Sequence, residues 1–258
     1  MAGVLVFGEI ASGALHEASL EALTAGAALA QKLGVPLIGA LIGAGAREAS
    51  DKFQCGPSRM FICGQQLAHY DGDRYAACAQ RVLDATGASI VLAPHTMQTR
   101  DWMPRLATRT LAALQMNCTA LAAEADALVV TRPIYGGGAV AEFALRGSPA
   151  LATVSAGAFA PATASSACAV EVIDDVAPPD VRIELIEEVS GDTGEGLRLQ
   201  DAKIVVSGGR GLGGPDNWRY IEEAAAQLGA AIGCSRPVVD SGWVNVRHQV
   251  GLSGSSVT

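Results

Sequence analysis

The sequence lacks the features that mark membrane proteins and nucleic-acid-binding proteins. No apolar run approaches the roughly 20 residues of a membrane-spanning helix, and the best candidate, Val35–Ala46, is short and contains Pro36. Basic residues are in the minority, with 18 Lys and Arg against 26 Asp and Glu. Because nucleic-acid binding needs basic surface that neutralises phosphates, this charge balance excludes broad contact with nucleic acid. We expect neither kind of partner.

Metal-binding patterns and targeting signals are also missing. The six cysteines are scattered without a C-x-x-C pair, and the four histidines are equally dispersed. Such cysteines are typical of buried reduced thiols, and they indicate no zinc or iron–sulfur site. The N-terminus has no basic region and reaches Glu9 early, so it predicts a first strand and not a signal peptide. We expect a cytoplasmic bacterial protein, or a mitochondrial matrix protein if the source is eukaryotic.

The first half of the chain alternates β-branched runs with amphipathic, alanine-rich stretches. Near-continuous hydrophobic strands joined by helices are typical of a parallel sheet covered on both faces. The pattern predicts a mostly parallel, three-layer α/β domain. Its predicted strands are Gly3–Phe7, Val35–Ile42, Arg59–Cys63 and Ser89–Ala93, and its predicted helices are Leu15–Leu33 and Asp73–Thr86.

After Asn117 the pattern changes to strands separated by turns, which favours an antiparallel elaboration of the sheet. The paired prolines in Val176–Asp180 predict a stiff connection, and Arg182–Ser190 fits one more strand. The polar, glycine-rich Gly191–Gly196 predicts a hinge. We therefore predict an N-terminal domain at 1–190 and a C-terminal domain at 197–258. The strands predicted after Asn117 are Leu128–Thr131, Gly138–Leu145, Leu151–Val154 and Ala167–Ile173.

A glycine-rich loop opens the second domain, in the stretch KIVVSGGRGLGGPDNW from Lys203 to Trp218. A β-branched run precedes the loop, and the predicted helix Trp218–Leu228 follows it, with Asp216 or Asn217 as its N-cap. Glycines in such a loop let the backbone approach a pyrophosphate, which the helix N-terminus attracts. Counted as G-x-G-x-x-G, the glycines are Gly209, Gly211 and Gly214.

Two interpretations of this loop remain open at this point: a dinucleotide site, with Asp240 as the nearest carboxylate for a ribose, or a turn that serves close packing. Arg210 inside the loop and Arg236 after the helix add cations that can pair with phosphate. No His–Asp or Tyr–Lys arrangement for hydride transfer is visible. These details favour a site other than that of an ordinary nicotinamide enzyme.

Three C-terminal motifs in series resemble the α subunit of electron transfer flavoprotein. They are IVVSGGRGL, AAIGCSRPVVDSGWV and QVGLSG, which resemble the SGGRG loop, the G-x-S-R segment and the Q-V-G-Q-T/S-G segment of that family. The first half agrees, since Ile90–Pro94 with Arg100–Arg105 resembles the family's LAP…KD…PR region. Thr131–Gly136 resembles its RPIYAGN turn. The resemblance covers essentially the whole chain.

The resemblance implies an FAD site in a Rossmann-like, doubly wound C-terminal domain. Gly208, Gly209, Arg210 and Gly211 would follow the pyrophosphate and adenosine side, and Ser235 and Arg236 would approach the isoalloxazine ring. Gln249, Val250, Gly251 and Gly254 would form a wall near the flavin, and the Ser253 hydroxyl would bond flavin N5. A cation near the ring stabilises the negative charge of reduced flavin, so Arg236 would tune the potential.

The resemblance also implies function and partners. The chain would be an electron carrier and not an enzyme, with no catalytic residue and no metal. It would pair with a β subunit through its N-terminal domain, and AMP is allowed in that β subunit. Its FAD would take electrons from flavin dehydrogenases, such as the acyl-CoA dehydrogenases of fatty acid oxidation, and pass them to a membrane quinone oxidoreductase.

Two departures from the family pattern keep alternatives open. Leu252 replaces the usual polar Gln, and the sequence stops at Thr258, before a strand and a G-I-S-G-A-x-Q-H helix start that complete the family's FAD site. We therefore expect a partial, incomplete FAD domain. One alternative is an NAD-binding oxidoreductase domain that uses the three glycines and Asp240. The other is a flavin-free subunit or scaffold.

Several polar residues of the first domain receive structural interpretations. His95 follows a predicted strand, where open α/β sheets place ligands, but a loop histidine is the interpretation we adopt. Asp101 is predicted as an N-cap, and Arg100 and Arg105 as exposed or ion-paired residues. Arg132 and Tyr135 are candidates for subunit packing. These residues are therefore left out of the predicted cofactor site.

Overall fold

The computed structural model describes residues 3–11, 13–124, 126–163, 167–173, 183–187, 199, 202–251 and 254–255. The chain forms two compact units, unit 1 at Met1–Leu185 and unit 2 at Ile186–Thr258. Within the described residues, no helix has both the length and the apolarity to cross a membrane. The predicted hinge Gly191–Gly196 and the stretch Val176–Asp180 lie outside the described residues.

Unit 1 begins with strands and helices in alternation and continues into a region of strands. Its described elements in chain order are β1 (Val4–Gly8), β2 (Ile10–Ala11), β3 (Ala14–Leu15), α1 (Ala18–Leu33), β4 (Leu37–Ile42), α2 (Ala46–Phe53), β5 (Arg59–Cys63), α3 (Gly72–Thr86), β6 (Ile90–Pro94), α4 (Met97–Thr110), β7 (Ala113–Cys118), β8 (Ala120–Glu124), β9 (Ala127–Ile134), β10 (Ala139–Arg146), β11 (Ala150–Val154) and β12 (Ala169–Ile173).

Seven of these strands form one sheet in the order β12-β5-β4-β1-β6-β11-β7, and every pairing in it is parallel. Strands β1, β4, β6 and β11 are buried along their whole length because helices cover both faces of the sheet. Val4 and Val6 belong to the core cluster under α1 and α2, whereas Leu5 and Phe7 belong to the cluster under α3 and α4. The alternation of strand side chains therefore builds three layers.

Strands β8, β9 and β10 form a separate antiparallel sheet in the order β10-β9-β8, and β2 pairs with β3 in a short antiparallel ribbon. Leu128, Val130 and Leu145 on this sheet share the core cluster that contains α1. The sheet therefore packs on the same face of unit 1 as α1.

Unit 2 contains one strand–helix–strand unit. Its elements are β13 (Val205–Gly208), α5 (Arg219–Leu228), β14 (Ala231–Cys234) and the short helix α6 (Arg236–Asp240). Strands β13 and β14 pair in parallel from Val205 opposite Ala231 to Gly208 opposite Cys234. Trp218, Cys234 and Val238 are the buried residues of its core cluster. Residues of the turns and of both helices pack against them.

The predicted α/β class with a mostly parallel sheet is confirmed, and several local predictions are wrong. The strands predicted near Leu151 and Ala167 do not join the antiparallel elaboration: β11 lies inside the parallel sheet and β12 forms its edge. Residues 183–187 have no regular secondary structure, and the remainder of the strand predicted at Arg182–Ser190 lies outside the described residues. Helix α2 was not predicted, and α4 was anticipated only through the N-cap predicted at Asp101.

Candidate functional site

The three predicted cofactor segments meet at one edge of unit 2. Gly208 ends β13 opposite Cys234, the last residue of β14, and the Ser235 N–H donates to the Gly208 carbonyl at 3.0 Å. On the other side of β14, Gln249 forms a parallel bridge to Cys234, whose carbonyl accepts from the Val250 N–H at 2.9 Å. The carboxyl ends of parallel strands are where open α/β sheets bind ligands. Residues far apart in sequence are therefore neighbours where a cofactor is expected.

The predicted site glycines serve two different purposes. A Cβ on Gly208 would lie 2.6 Å from Cζ3 of Trp218, and one on Gly254 would overlap the Gln249 carbonyl oxygen. Gly251 has φ +113°, which side chains rarely adopt. The chain itself therefore requires glycine at these three positions.

The glycines of the G-x-G-x-x-G pattern, Gly209, Gly211 and Gly214, differ from these, because the fold of the chain does not require glycine there. A Cβ on Gly211 or Gly214 would meet no atom within 4 Å, and one on Gly209 would meet only Ser235 Oγ at 3.4 Å. None of the three lies in the left-handed region, and Gly214 is extended at φ 172°. Open space on this side of the loop is what the close approach of a pyrophosphate needs.

The loop reaches α5 through two short 3₁₀ turns, Arg210–Leu212 and Pro215–Trp218. The prediction that Asp216 or Asn217 caps this helix is wrong, since α5 begins at Arg219 without a side-chain cap. The Asn217 side-chain amide instead donates to the Leu212 carbonyl at 2.7 Å. Asn217 therefore joins the second 3₁₀ turn to the first.

Arg210 and Arg236 are the predicted cations of this edge. Arg236 begins α6, and its Nε lies 3.3 Å from Asp240 Oδ2, with both side chains more than 60% exposed (67% and 61%). An exposed pair of this kind is weak, so the guanidinium is easily redirected. Arg210 is exposed and has no carboxylate partner among the described residues. Ser253 and Leu252 lie outside the described residues, so the predicted hydroxyl contact stays a prediction.

The geometry disfavours the NAD-binding alternative. A ribose-binding carboxylate would follow the second strand of the unit, but β14 ends at Cys234 and leads into Ser235. Burial raises the pKa of the Cys234 thiol, which is therefore neutral. Asp240 lies at the end of α6 and pairs with Arg236. The open glycines and the cations fit a pyrophosphate, which NAD and FAD both contain, so the strand end without an acid is the feature that counts against NAD.

Sequence reasoning missed one residue at this edge. His248 ends a 3₁₀ turn, Val246–His248, and its Nδ1 lies 2.9 Å from the Ile232 carbonyl of β14. The bond joins residues 16 apart in sequence. A lone histidine before QVGLSG carries no signal that could have predicted it.

Unit 1 has a topological switch point of its own, between β1 and β6, from which the chain proceeds to opposite sides of the sheet. Glu9, which follows β1, is 7% exposed and accepts hydrogen bonds from the Thr96 hydroxyl and from the Thr99 hydroxyl at 3.4 Å. Burial raises the pKa of the Glu9 carboxyl, and the two hydroxyls and His16 oppose this. At this switch point the side chains of Glu9, Thr96 and Thr99 therefore hydrogen-bond to one another.

His95 is a half-buried residue of the same edge. Its Nδ1 lies 2.8 Å from Thr153 Oγ1, which also accepts from the Asn117 N–H at 2.8 Å. Burial, with help from Arg100 and Arg132, lowers the pKa of His95 to about 4. His95 is therefore neutral near pH 7, and Thr153 holds it in place.

Two other polar candidates of unit 1, Asp101 and Arg105, belong to an ion-pair network. Asp101 lies inside α4, whose N-cap is Thr96, so the predicted capping role of Asp101 is wrong. Arg105 pairs with Asp101 at 3.0 Å and with Asp73 at 2.9 Å, as the ion-paired prediction required. Across the described residues, no group of three or more His, Cys, Asp or Glu is placed to hold a metal ion.

Two family models match this chain, one in each unit. Residues 4–179 match the electron transfer flavoprotein domain, and residues 198–258 match the electron transfer flavoprotein FAD-binding domain. The second match covers the segments that meet at the edge of β13 and β14. It confirms FAD as the cofactor of the domain type to which this stretch belongs.

Known relatives agree over nearly the whole chain. Protein FixB of Clostridium saccharobutylicum is 32% identical over 99% of this chain and 78% of its own length. The electron transfer flavoprotein α subunits of Thermoanaerobacterium thermosaccharolyticum and Clostridium acetobutylicum are 31% and 33% identical, over 98% and 99% of this chain and 79% of each relative. The predicted resemblance is confirmed: the chain belongs to the electron transfer flavoprotein α-subunit family.

Proposed function

We propose that this chain is the electron-carrying α subunit of a two-subunit flavoprotein and that it holds FAD at the carboxyl edge of β13 and β14. The observation that carries the proposal is the meeting of Gly208, Ser235 and Gln249 at that edge. The FAD-binding family model covers all three residues. The domain limits are proposed as 1–190 and 197–258, with a hinge at 191–196.

Each residue of the edge has a proposed part in holding FAD. Gly209, Arg210 and Gly211 border the pyrophosphate, since the loop is open there and Arg210 is cationic. Ser235 and Arg236 approach the isoalloxazine ring. The segment Gln249–Gly251 and Gly254 form the wall near the flavin. The Ser253 hydroxyl forms a hydrogen bond with flavin N5.

When bound, FAD takes up and releases electrons, and the protein supplies binding and charge. Arg236 is proposed to supply part of this charge. Its weak, exposed pair with Asp240 lets the guanidinium face the ring, where a cation favours reduced flavin. No side chain of the chain is assigned a bond-making step.

Unit 1 is proposed as the surface that contacts a β subunit. Among its described residues are large apolar side chains with high exposure, including Tyr135 at 88% and Val140 at 68%. Tyr135 also has φ 52°, an uncommon backbone conformation for a bulky residue. Exposed apolar side chains of this kind are typical of surfaces that a partner covers. AMP in that β subunit remains part of the proposal.

The electron donors are proposed as flavin dehydrogenases, such as the acyl-CoA dehydrogenases of fatty acid oxidation, and the acceptor as a quinone oxidoreductase. Support for these partners comes from the family to which the chain belongs. An assay that compares electron donors tests these partners independently of whether the chain binds FAD. Reduction of the flavin by an acyl-CoA dehydrogenase with its substrate, and not by NADH, is the expected result.

Purification of the chain with its β subunit tests the cofactor itself. We expect a yellow complex with a flavin absorbance spectrum and one FAD bound at unit 2 for each α chain. Loss of that FAD after substitution of Arg210 and Gly211 together would assign it to this edge. A colourless complex would favour a flavin-free scaffold, and nicotinamide-dependent turnover would favour the NAD-binding alternative.

A further inference from the structure

Both ring nitrogens of His248 have a defined bonding partner. Nδ1 lies 2.9 Å from the Ile232 carbonyl oxygen, and a carbonyl only accepts, so Nδ1 carries a proton. Nε2 lies 3.1 Å from Nε of Arg247, and a guanidinium only donates, so Nε2 offers its lone pair. Together the two contacts select the neutral tautomer that is protonated on Nδ1.

This ring lies where the predicted flavin wall starts. The turn before it is closed by the Arg247 N–H, which donates to Asn245 Oδ1 at 3.0 Å. Immediately after it, the Val250 N–H donates to the Cys234 carbonyl at 2.9 Å. His248 thus bonds β14 at Ile232, just before the strand end at which Gln249 pairs with Cys234. The imidazole joins the turn to the strand, and the wall continues from that junction.

Arg247 is held by the same ring. Its Nε uses the His248 lone pair, and the described residues give its guanidinium no carboxylate partner. Among the described residues of unit 2, the ion pair is that of Arg236 with Asp240. The charge of Arg247 is therefore uncompensated within the described part of unit 2, next to the wall.

We propose that His248 is a positioning residue: as its Nδ1-protonated tautomer it ties the segment Gln249–Gly251 to β14 and fixes Arg247 as a second cation beside the flavin. The proposal rests on the proposed FAD site. It assigns to His248 an effect through its neighbours and not a contact with the ring of the cofactor.

Three substitutions separate the two contacts of the ring. His248→Phe keeps the ring volume and removes both bonds. His248→Asn keeps a donor at the δ position for Ile232 but has no acceptor at the ε position. Arg247→Leu removes the cation and leaves the bond to Ile232, and Arg219→Leu on α5 is the matched control.

The experiment measures amide exchange of Val250 in the FAD-depleted complex, and FAD affinity and flavin potential in the loaded complex. His248→Phe should speed Val250 exchange and weaken FAD about tenfold, as expected for loss of a net hydrogen bond. His248→Asn should restore exchange and bring affinity to within about threefold of the wild type. Arg247→Leu should lower the potential without changing exchange, and Arg219→Leu should change neither.

Imidazole nitrogen chemical shifts of the wild-type chain give a test that needs no variant. They should show a proton on Nδ1 of His248 and none on Nε2. A proton on Nε2, or unchanged Val250 exchange in His248→Phe, would overturn the proposal. If the wild-type complex binds no FAD, the proposed function fails, while the exchange and tautomer measurements still decide the role of His248.

Discussion

Two glycines of one loop should respond in opposite ways to the same substitution. A methyl group on Gly208 would lie 2.6 Å from Cζ3 of Trp218, 2.9 Å from Cδ1 of Leu212 and 3.0 Å from Cγ1 of Ile221. Trp218 is 7% exposed and belongs to the core cluster of unit 2. A methyl group on Gly211 would meet nothing within 4 Å. Alanine therefore overpacks the core at one position and fits at the other.

The magnitudes follow from those distances. Overpacking that displaces a core side chain costs about 1–3 kcal/mol, so Gly208→Ala should lower the free energy of unfolding of unit 2 by that amount. Gly→Ala at a compatible backbone position stabilises by about 0.4–1 kcal/mol, because the unfolded chain loses freedom, so Gly211→Ala should raise it slightly. If the methyl of Gly211→Ala meets the FAD pyrophosphate, a similar clash weakens FAD about 5- to 150-fold.

Urea unfolding of the FAD-depleted chain, followed by tryptophan fluorescence, measures the first pair of effects. A Trp102→Phe background removes the tryptophan of unit 1 and leaves Trp218 and Trp243 to report unit 2. Flavin titration measures the second. Equal destabilisation by Gly208→Ala and Gly211→Ala would refute the assignment of open space at Gly211. Unchanged FAD affinity in Gly211→Ala would remove that glycine from the cofactor site.

Three further predictions concern single ionisable residues. Burial raises the pKa of Glu9 above its ordinary 4.5, so the stability of unit 1 should fall as pH rises from about 4.5 through the folded pKa. Glu9→Gln should flatten this part of a plot of urea midpoint against pH. An identical slope in the variant would contradict the prediction. The pKa of His95 is lowered from 6.5 to about 4, so its contribution to stability is present above pH 6.5 and lost as pH falls towards 4; an NMR titration midpoint near 6.5 would exclude this. Arg236→Ala should lower the flavin potential while changing stability by less than about 1 kcal/mol, since its ion pair is exposed; an unchanged potential, equal to that of an Arg219→Ala control, would remove Arg236 from its role.

Much of the fold could be predicted because its signals are local. The strand Arg59–Cys63 was predicted with its observed bounds, and the first helix ends at Leu33 as predicted, because Gly34 follows it in the left-handed conformation. The order of the strands could not be predicted in this way. Buried strands such as β11 and β6 have the same apolar pattern, so nothing in Ala150–Val154 says that it pairs between Ile90–Pro94 and Ala113–Cys118. Pairing across 60 residues is decided by packing and not by local propensity.

Helix α4 shows why local signals also fail. Pro104 lies inside it, and a proline normally predicts a break. The helix continues because Trp102 and Met103 are buried in the core under it, and because Thr96 caps its start. Tertiary burial outweighs the local cost, and Asp101 is carried from the predicted cap into the helix interior.

In the candidate site, too, some features follow from local sequence and others from tertiary packing. The glycine loop and its arginine could be predicted from sequence because glycine-rich phosphate loops have a characteristic residue spacing between a strand and a helix. That residue spacing does not separate Gly208, where a Cβ would clash with Trp218, from Gly211, where a Cβ would meet no atom within 4 Å. The difference depends on atoms from another turn, and so does the bond between His248 and Ile232. Sequence reasoning located the loop, and only the packing around it assigns each residue a purpose.

Cofactor affinity and stability should be coupled in unit 2 more strongly than in unit 1. The described core cluster of unit 2 has three buried residues, Trp218, Cys234 and Val238, whereas unit 1 has two large clusters on either face of its sheet. A ligand that binds only the folded form adds about 2.7 kcal/mol at a hundredfold excess over its Kd. That gain is comparable to the overpacking cost expected for Gly208→Ala. FAD should therefore mask the stability defect of Gly208→Ala, and it should protect Gly211→Ala least, because that variant forfeits the affinity on which the protection depends.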